Sequence, residues 1–280
     1  MRTMRKELII ILSVALSTFA LSAQKSPGYE IHYKIVEAVL TDAVKLEIID
    51  NHCQAEFCKF KLKITNNSKD YIVLITEELE FVLEHSTYNP AAKNIIIYPY
   101  KSATKSITVD GDSRFQVENY ALNLKGFYRL PIESESVIME KIALPAQKNE
   151  FNAGNFNCKI NGEIIKETKV TEFPCICTYK GTDVAIINQS KIVVKLEGGQ
   201  EYATINRGSK LQTTKTDNIV FPGEKKKIKA VFKVPAKISD MQFANLEIDF
   251  KDTFKESKLI PIILPAQNFV IDPGMTQGKN

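Results

Sequence analysis

The sequence predicts an all-β protein in which two tandem antiparallel β-sandwich domains follow a signal peptide. Three observations predict this fold: hydrophobic and polar residues alternate over short segments, turn-forming residues recur between them, and short motifs of the first half recur in the second. The composition, 44% hydrophobic and 25% charged over 280 residues, is that of a packed protein and excludes wholesale disorder. A formal net charge of +4 is too small to indicate a nucleic-acid-binding protein.

Residues 1–23 have the three-part layout of a secretory signal peptide. Arg2, Arg5 and Lys6 form a basic start, residues 8–21 are apolar, and small residues follow up to Ala23. A transmembrane helix needs about 20 apolar residues, so this stretch is short for an anchor. Cleavage after Ser22 and cleavage after Ala23 both fit. We therefore expect an exported mature chain without a transmembrane segment, periplasmic or extracellular and associated with the envelope.

Recurring motifs predict two copies of one domain. Leu144-Pro145-Ala146-Gln147 recurs as Leu264-Pro265-Ala266-Gln267, and Asn66-Asn67-Ser68-Lys69 recurs as Asn188-Gln189-Ser190-Lys191. Self-similarity at a nearly constant offset is the signature of a repeat. The predicted organisation is a first β-sandwich over 24–147, an Asn- and Gly-rich linker over 148–163, a second β-sandwich over 164–267, and a flexible tail over 268–280.

Period-two alternation predicts the strands within each copy. Phe60, Leu62 and Ile64 point to one side of a strand whose other side carries three lysines. Residues 228–234 and 246–250 alternate in the same way. The segment 71–84 has the composition of a helix, but its β-branched opening favours a strand. Strands with one wet face are typical of antiparallel sheets packed in pairs.

Two segments resemble extracellular immunoglobulin-like modules. Residues 60–74, FKLKITNNSKDYIVL, resemble their strand–turn–strand with an Asn-x-Ser turn, and residues 221–235, FPGEKKKIKAVFKVP, resemble their Pro-Gly-Glu turn and long strand. The resemblance implies an immunoglobulin-like sandwich for each copy. It also implies a role in binding, adhesion or spacing, among which the fold alone does not choose.

Five cysteines in an exported chain are expected to pair in part. Cys53 and Cys58 can meet across a hairpin, and Cys175 and Cys177 lie on the same side of one strand at the edge of disulfide reach. The favoured pairing joins Cys158 to Cys175 or to Cys177. The alternative is that all five are small apolar core residues.

Catalytic and metal-binding patterns are not recognisable in the sequence. The cysteine pairs that could join His52 in a zinc site fit the usual ligand spacing poorly and lie in different repeats. Asp110-Gly111-Asp112-Ser113 lacks the acidic residue that completes a calcium loop. His32, His52 and His85 lie in no hydrolase motif. We therefore predict no enzyme, no cofactor and no metal.

Charge is divided unevenly between the copies. Residues 30–147 contain 13 basic and 17 acidic residues, and residues 148–280 contain 20 basic and 15 acidic residues. Lys225, Lys227, Lys229 and Lys233 form a stripe on one predicted strand, which is a candidate binding stripe for a protein or an acidic envelope glycan. The alternative is an edge strand whose lysines block aggregation.

The predicted function is that of an exported, non-enzymatic binding or structural module of a bacterial envelope. The alternative is a periplasmic assembly factor or chaperone that binds exported subunits by β-strand addition. A third hypothesis is an exported hydrolase whose site forms between the domains.

Overall fold

Nearly all regular structure in the computed structural model is antiparallel β-sheet, which confirms the all-β prediction. The structure describes residues 30–111, 115–205 and 219–276, so the predicted signal peptide lies outside the described residues. Within these ranges the helical segments are three-residue 3-10 turns at Thr76–Glu78, Gln189–Lys191 and Lys251–Thr253. None of the described helical segments has the length or the hydrophobicity to span a membrane.

The strands follow one another at short intervals along the whole described chain. The first twelve are β1 (Ile31–His32), β2 (Val39–Leu40), β3 (Val44–Cys53), β4 (Phe57–Asn66), β5 (Tyr71–Leu74), β6 (Glu80–Leu83), β7 (Ser86–Tyr88), β8 (Ile95–Ile97), β9 (Ser102–Asp110), β10 (Asn119–Asn123), β11 (Phe127–Leu130) and β12 (Ile142–Leu144). The remaining ones are β13 (Glu150–Ala153), β14 (Phe156–Ile160), β15 (Ile165–Glu167), β16 (Val170–Tyr179), β17 (Val184–Ile187), β18 (Val193–Leu196), β19 (Glu201–Ala203), β20 (Ile219–Val220), β21 (Lys225–Lys233), β22 (Leu246–Asp249), β23 (Phe254–Ser257), β24 (Ile260–Pro261) and β25 (Gln267–Val270).

The same sheet order occurs twice. The sheet β1-β3-β4-β9 corresponds to β13-β14-β16-β21, and the sheet β25-β10-β6-β7 corresponds to β12-β22-β18-β19. The third sheet, β24-β11-β5-β8, corresponds to β23-β17-β20, where an isolated bridge from Ser136 to Lys255 takes the place of β24. β2 and β15 are short additional strands on β3 and β16. We call β1–β11 with β24 and β25 the first lobe, and β12–β23 the second lobe.

Each lobe contains a segment that belongs, by sequence, to the other copy. β12 follows the first copy in the chain but pairs with β22 of the second lobe. β24 and β25 follow the second copy but pair with β11 and β10 of the first lobe. We call residues 136–144 and 260–271 the exchanged segments. They differ from the predicted boundaries, because residues 260–267 had been expected in the second domain and residues 268–280 in a flexible tail.

The predicted linker 148–163 contains regular structure. β13 and β14 lie within it and form a hairpin in which Glu150 is paired with Lys159 and Ala153 with Phe156. Phe151 and Phe156 are buried in the core of the second lobe. Gly154 and Asn155 form the turn of this hairpin, and Asn152 is paired with Asn157 across its strands, so the region is not a spacer.

Three hydrophobic cores occur in the described part of the chain. The alternating residues Phe60, Leu62 and Ile64 are fully buried in the core of the first lobe, as their period predicted. The core of the second lobe is built in the same way around inward residues of β16, β21 and β22. A third core lies between the lobes, where side chains of β5 and β11 pack with those of β17 and β20: Tyr71, Val73, Leu130, Val184, Ile186 and Ile219.

This third core explains two strands that do not alternate. All four residues of β5 and all four of β17 are buried. Ile72 and Leu74 face the first core while Tyr71 and Val73 face the core between the lobes. A strand covered on both sides is a continuous apolar run, and the sequence Tyr-Ile-Val-Leu is such a run.

Candidate functional site

Two disulfides hold the long sheets of the two lobes. Cys53 and Cys58 join β3 to β4 across their hairpin, with an S–S distance of 1.99 Å. Cys158 and Cys177 join the neighbouring strands β14 and β16, with an S–S distance of 2.12 Å. The observed partner of Cys158, Cys177, is one of the two partners that the sequence favoured. Cys158 had been placed in the predicted linker, but this disulfide joins two strands of one sheet.

Cys175 is the free cysteine of the described chain and is buried in the second core. It lies on the same side of β16 as Cys177, as the spacing predicted. Burial raises the pKa of its thiol to about 12. A thiol with such a pKa is almost entirely protonated at neutral pH and is a poor nucleophile.

The predicted lysine stripe lies on the outer side of the second lobe. Lys225, Lys227, Lys229 and Lys233 are exposed, whereas Ile228, Ala230 and Phe232 between them are buried. The alternation of β21 therefore sends the lysines to solvent and the apolar side chains to the core. We call the exposed outer side of β14, β16 and β21, with Lys159, Lys225, Lys227 and Lys229, the lysine face.

Strand register assembles this face from three parts of the chain. Lys159 of β14 is paired with Ile176 of β16, and Ile176 is paired with Lys227 of β21. Sequence reasoning did not include Lys159, because it lies more than sixty residues before the stripe. Lys159 follows buried Cys158, which itself follows half-buried Asn157. This alternation is the sequence signal that could have placed Lys159 on the outer side.

Most of the positive charge on this face is unpaired. Lys229 forms an ion pair with Glu172 of β16 at 2.6 Å. No ion pair of Lys159, Lys225 or Lys227 occurs among residues 30–111, 115–205 and 219–276. Glu150 of β13 lies directly opposite Lys159 on the neighbouring strand. The face therefore presents an excess of ammonium groups around the half-buried side chain of Ile176.

Three lysines on the corresponding surface of the first lobe are paired with acids. On β3 and β4, Glu47 binds Lys63 at 2.8 Å and Lys45 at 3.3 Å, and Asp50 binds Lys61. The hydrogen bond from Lys63 lowers the pKa of Glu47, and the hydrogen bond from Lys61 lowers the pKa of Asp50. Two equivalent sheet surfaces therefore differ in how many of their lysines are ion-paired, although both carry lysines at alternate positions.

β21 is the edge strand of its sheet, but part of this edge is covered. The Ile205 N–H donates to the Val231 carbonyl at 2.6 Å, and the Val231 N–H donates to the Thr204 hydroxyl at 3.0 Å. A partner strand cannot pair along the whole of β21 while these bonds exist. The edge position also fits the alternative that the lysines protect an edge against aggregation.

The residues considered for a metal site do not converge. The sulfur atoms of Cys53 and Cys58 are bonded to each other, and the His52 Nε2 atom lies 3.6 Å from Glu30 Oε1. His32 Nε2 lies 3.5 Å from the same oxygen. No group of three or more His, Cys, Asp and Glu residues in the described part of the chain is placed to hold a metal ion. Asp112 and Ser113 of the predicted turn lie outside the described residues.

Comparisons with known proteins identify no family. No protein-family model and no curated protein matches the chain. Among solved structures, Streptomyces albus HEPD with its substrate 2-hydroxyethylphosphonate and Fe(II) bound aligns with a TM-score of 0.12 at 5% identity, over 86% of this chain and 74% of that chain. A TM-score this low does not indicate a shared fold.

Proposed function

We propose that this protein is an exported, non-enzymatic binding module of a bacterial envelope that binds an acidic glycan on its lysine face. The observation that carries the proposal is the contrast between the lobes. Lys159, Lys225 and Lys227 form no ion pair among the described residues, whereas Lys45, Lys61 and Lys63 of the first lobe form ion pairs with acids.

The geometry of the face suits an extended polyanion. Successive outward residues of one strand are about 7 Å apart, and neighbouring strands are about 4.8 Å apart. Lys225, Lys227 and Lys229 therefore form a line of ammonium groups, and Lys159 adds a fourth to its side. An acidic glycan presents carboxylates at regular intervals along a chain and can meet several of these groups at once.

Export is supported by the signal-type segment 1–23 and by the two disulfides, since thiols pair mainly outside the cytoplasm. The proposal also includes an immunoglobulin-like sandwich for each lobe. Its support is the repeated sheet order and the resemblance of residues 60–74 and 221–235 to such modules.

Calorimetric titration of residues 24–280 with polygalacturonate tests the binding proposal. We expect binding that weakens with salt, because screening reduces the attraction between exposed charges. The triple variant Lys159→Gln, Lys225→Gln, Lys227→Gln should lose affinity by about tenfold or more.

The matched control is Lys45→Gln, Lys61→Gln, Lys63→Gln in the first lobe, which removes the same charge from lysines that are paired with acids. Its affinity should stay within about twofold of the unmodified chain. An equal loss in both triple variants would show that total charge, and not the lysine face, determines binding.

A further inference from the structure

The two lobes differ in the strands that cover one edge of their long sheets. In the first lobe, β1 lies beside the end of β3, where Ile31 is paired with Cys53, and β2 lies beside its start, where Val39 is paired with Leu46. In the second lobe, β14 and β15 together take the place of β3, because both pair with β16 on the side opposite β21. Of the described strands, only β13 lies beside them, and it is paired with β14. Register decides whether β13 matches β1 or β2.

The central strands align the two lobes residue by residue. β5 and β17 hold the same place in their sheets, next to β11 and β23, and they end at Leu74 and Ile187. Counting back fourteen residues from these two positions reaches Phe60 in β4 and Phe173 in β16. Both phenylalanines are fully buried in the core of their lobe, so β4 and β16 are aligned with the same sides facing inward.

This alignment places β13 at the position of β2. Leu46, the neighbour of β2, lies opposite Ile64 of β4. Cys158, the neighbour of β13, lies opposite Cys177 of β16. Ile64 and Cys177 each lie four residues after the aligned phenylalanine of their strand. β13 therefore matches β2, and the described strands of the second lobe include none that matches β1.

The edge that β1 covers in the first lobe corresponds to the outer edge of β15. Cys53, which is paired with Ile31 of β1, lies opposite Cys58 of β4. Lys166 of β15 lies opposite Thr171 of β16. Cys58 and Thr171 each lie two residues before the aligned phenylalanine of their strand. Among the described strands β16 is the only partner of β15, so none of them pairs with this outer edge.

A groove lies along this edge, between β15 and the end of β12. Its volume is about 300 Å³, and its lining includes Leu144, Ala146, Ile160, Ile164 and Lys166. Ala146, Ile160 and Ile164 are half-buried apolar side chains that pack against the second core. We call this space the β15 groove. A cleft of this size is at the lower limit for ligand pockets, which suits a short segment of chain better than a large molecule.

In the first lobe β1 fills the corresponding space. Ile31 and Tyr33 are each 4% exposed and belong to the first core. The Tyr33 N–H donates to the Asn51 carbonyl of β3 at 3.1 Å. The next residue contacts the other wall, since the Lys34 N–H donates to the Val270 carbonyl of β25 at 2.9 Å, and β25 matches β12 in this comparison. A short strand with two inward apolar side chains therefore joins the two walls.

We propose that the β15 groove binds an extended segment of another polypeptide, which adds to the outer edge of β15 as β1 adds to β3. The occupant is a strand with two apolar side chains two residues apart, because Ile31 and Tyr33 fill the corresponding space of the first lobe. In strand addition, main-chain hydrogen bonds give affinity, and pockets for alternate side chains give specificity. β1 of a second copy is not such a segment, because it is already paired with β3 and with the end of β25. This inference does not depend on glycan binding at the lysine face.

A peptide with the sequence of residues 30–36, which includes β1 and its two apolar side chains, is the probe. It is added to the chain of residues 24–280, and hydrogen exchange is followed by mass spectrometry. At a peptide concentration ten times the dissociation constant, protection of β15 should rise about tenfold, because a ligand that binds only the closed state lowers the population of the open state by about that factor. Protection of β1 and β2 should not change.

Matched controls test the side chains of the peptide and the walls of the groove. The Ile31→Ser, Tyr33→Ser peptide keeps the main-chain groups and should bind at least about tenfold less tightly, because two buried apolar side chains are lost. In the protein, Ala146→Arg places a long side chain in the β15 groove and should abolish the added protection. Ala143→Arg is the same substitution at an exposed residue of β12 outside the groove, and this variant should respond as the unmodified chain does.

Four results would overturn the proposal. The first is that millimolar peptide adds no protection in β15. The second is that the added protection is confined to β3 and β25, which would show exchange of the peptide with β1 of the first lobe. The third is an equal response with the double-serine peptide or with Ala146→Arg. The fourth is that β15 is already protected without peptide, in a dimer by a second copy or in a monomer by another segment of the same chain.

Discussion

The exchanged segments predict that a substitution near the end of the chain destabilises the first lobe. Phe269 lies in β25 and is buried in the first core, where its ring stacks on that of Tyr120 with centroids 5.0 Å apart. The ring of Tyr33 also packs against the Phe269 ring, with centroids 6.4 Å apart. The next strand neighbour of β25 is residues 33–34, since the Lys34 N–H donates to the Val270 carbonyl at 2.9 Å.

Phe269→Ala should therefore cost about 3–5 kcal/mol of stability in the first lobe, which is the usual cost of truncating a buried Phe. A domain of this kind has about 5–15 kcal/mol in total. Hydrogen exchange measured by mass spectrometry can locate the loss. Protection in β10 and β1 should fall by about a hundredfold to several thousandfold, because each 1.4 kcal/mol is about a factor of ten.

The matched control is Leu144→Ala in β12, because Leu144 occupies the position in the second lobe that Phe269 occupies in the first. This substitution should cost about 2–5 kcal/mol and should lower protection in β22, within the second lobe. If Phe269→Ala lowered protection in β22 and β23 first and left β10 unchanged, the assignment of the C-terminal segment to the first lobe would be refuted.

Three further predictions concern single groups. At pH 8 the native chain should leave Cys175 unmodified by a thiol reagent, because its pKa is about 12, and one equivalent should react after unfolding in guanidinium. Replacing Cys158 and Cys177 by Ala should lower the free energy of unfolding in urea by about 3 kcal/mol, the value for a loop of this length. This loss should exceed that caused by removing the Cys53–Cys58 disulfide, which closes a shorter loop. The hydrogen bond to Glu78 raises the pKa of Tyr128 to about 12. The folded state thus holds the phenolic proton more tightly than the unfolded state does, so the free energy of unfolding should fall between pH 10 and 12. In denaturation measured across this pH range, Tyr128→Phe should reduce that fall.

Local pattern predicted the strands well, because the exposure of alternate residues is decided within a few residues of sequence. Phe60, Leu62 and Ile64 are buried as their period requires, and the segment 71–84 forms two strands around a 3-10 turn. The choice of partner strand depends instead on contacts between distant residues. The pairing of β25 with β10 is therefore not readable from either strand alone.

The motifs that predicted the repeat do not occupy equivalent positions. Leu144 lies within β12, whereas Leu264 lies three residues before β25. Asn66 ends β4, whereas Asn188 caps a 3-10 turn after β17. Both asparagines accept hydrogen bonds from a serine two residues later, so local turn chemistry, rather than shared position in the fold, accounts for that match.

The candidate site was predictable only in part. The alternation of β21 placed its lysines on one exposed side, because that pattern is local. Whether an acid lies opposite each lysine depends on strand register. Register places Pro174 opposite Lys229, with Glu172 at the diagonal position from which it forms the ion pair, and places Ile176 opposite Lys227. The difference in ion pairing between the two lysine-bearing surfaces therefore becomes visible only when the strands are paired.

The exchanged segments also determine when the protein can fold. The first lobe is complete only when β24 and β25 have joined β11 and β10. Strands β1–β11 are therefore synthesised well before the sheets of this lobe can be completed. At cellular rates of translation the interval between the synthesis of β11 and that of β25 is roughly ten seconds. During this time the first copy has neither its final strand nor the buried ring of Phe269. The first lobe therefore stays incomplete until residues 260–271 have been made.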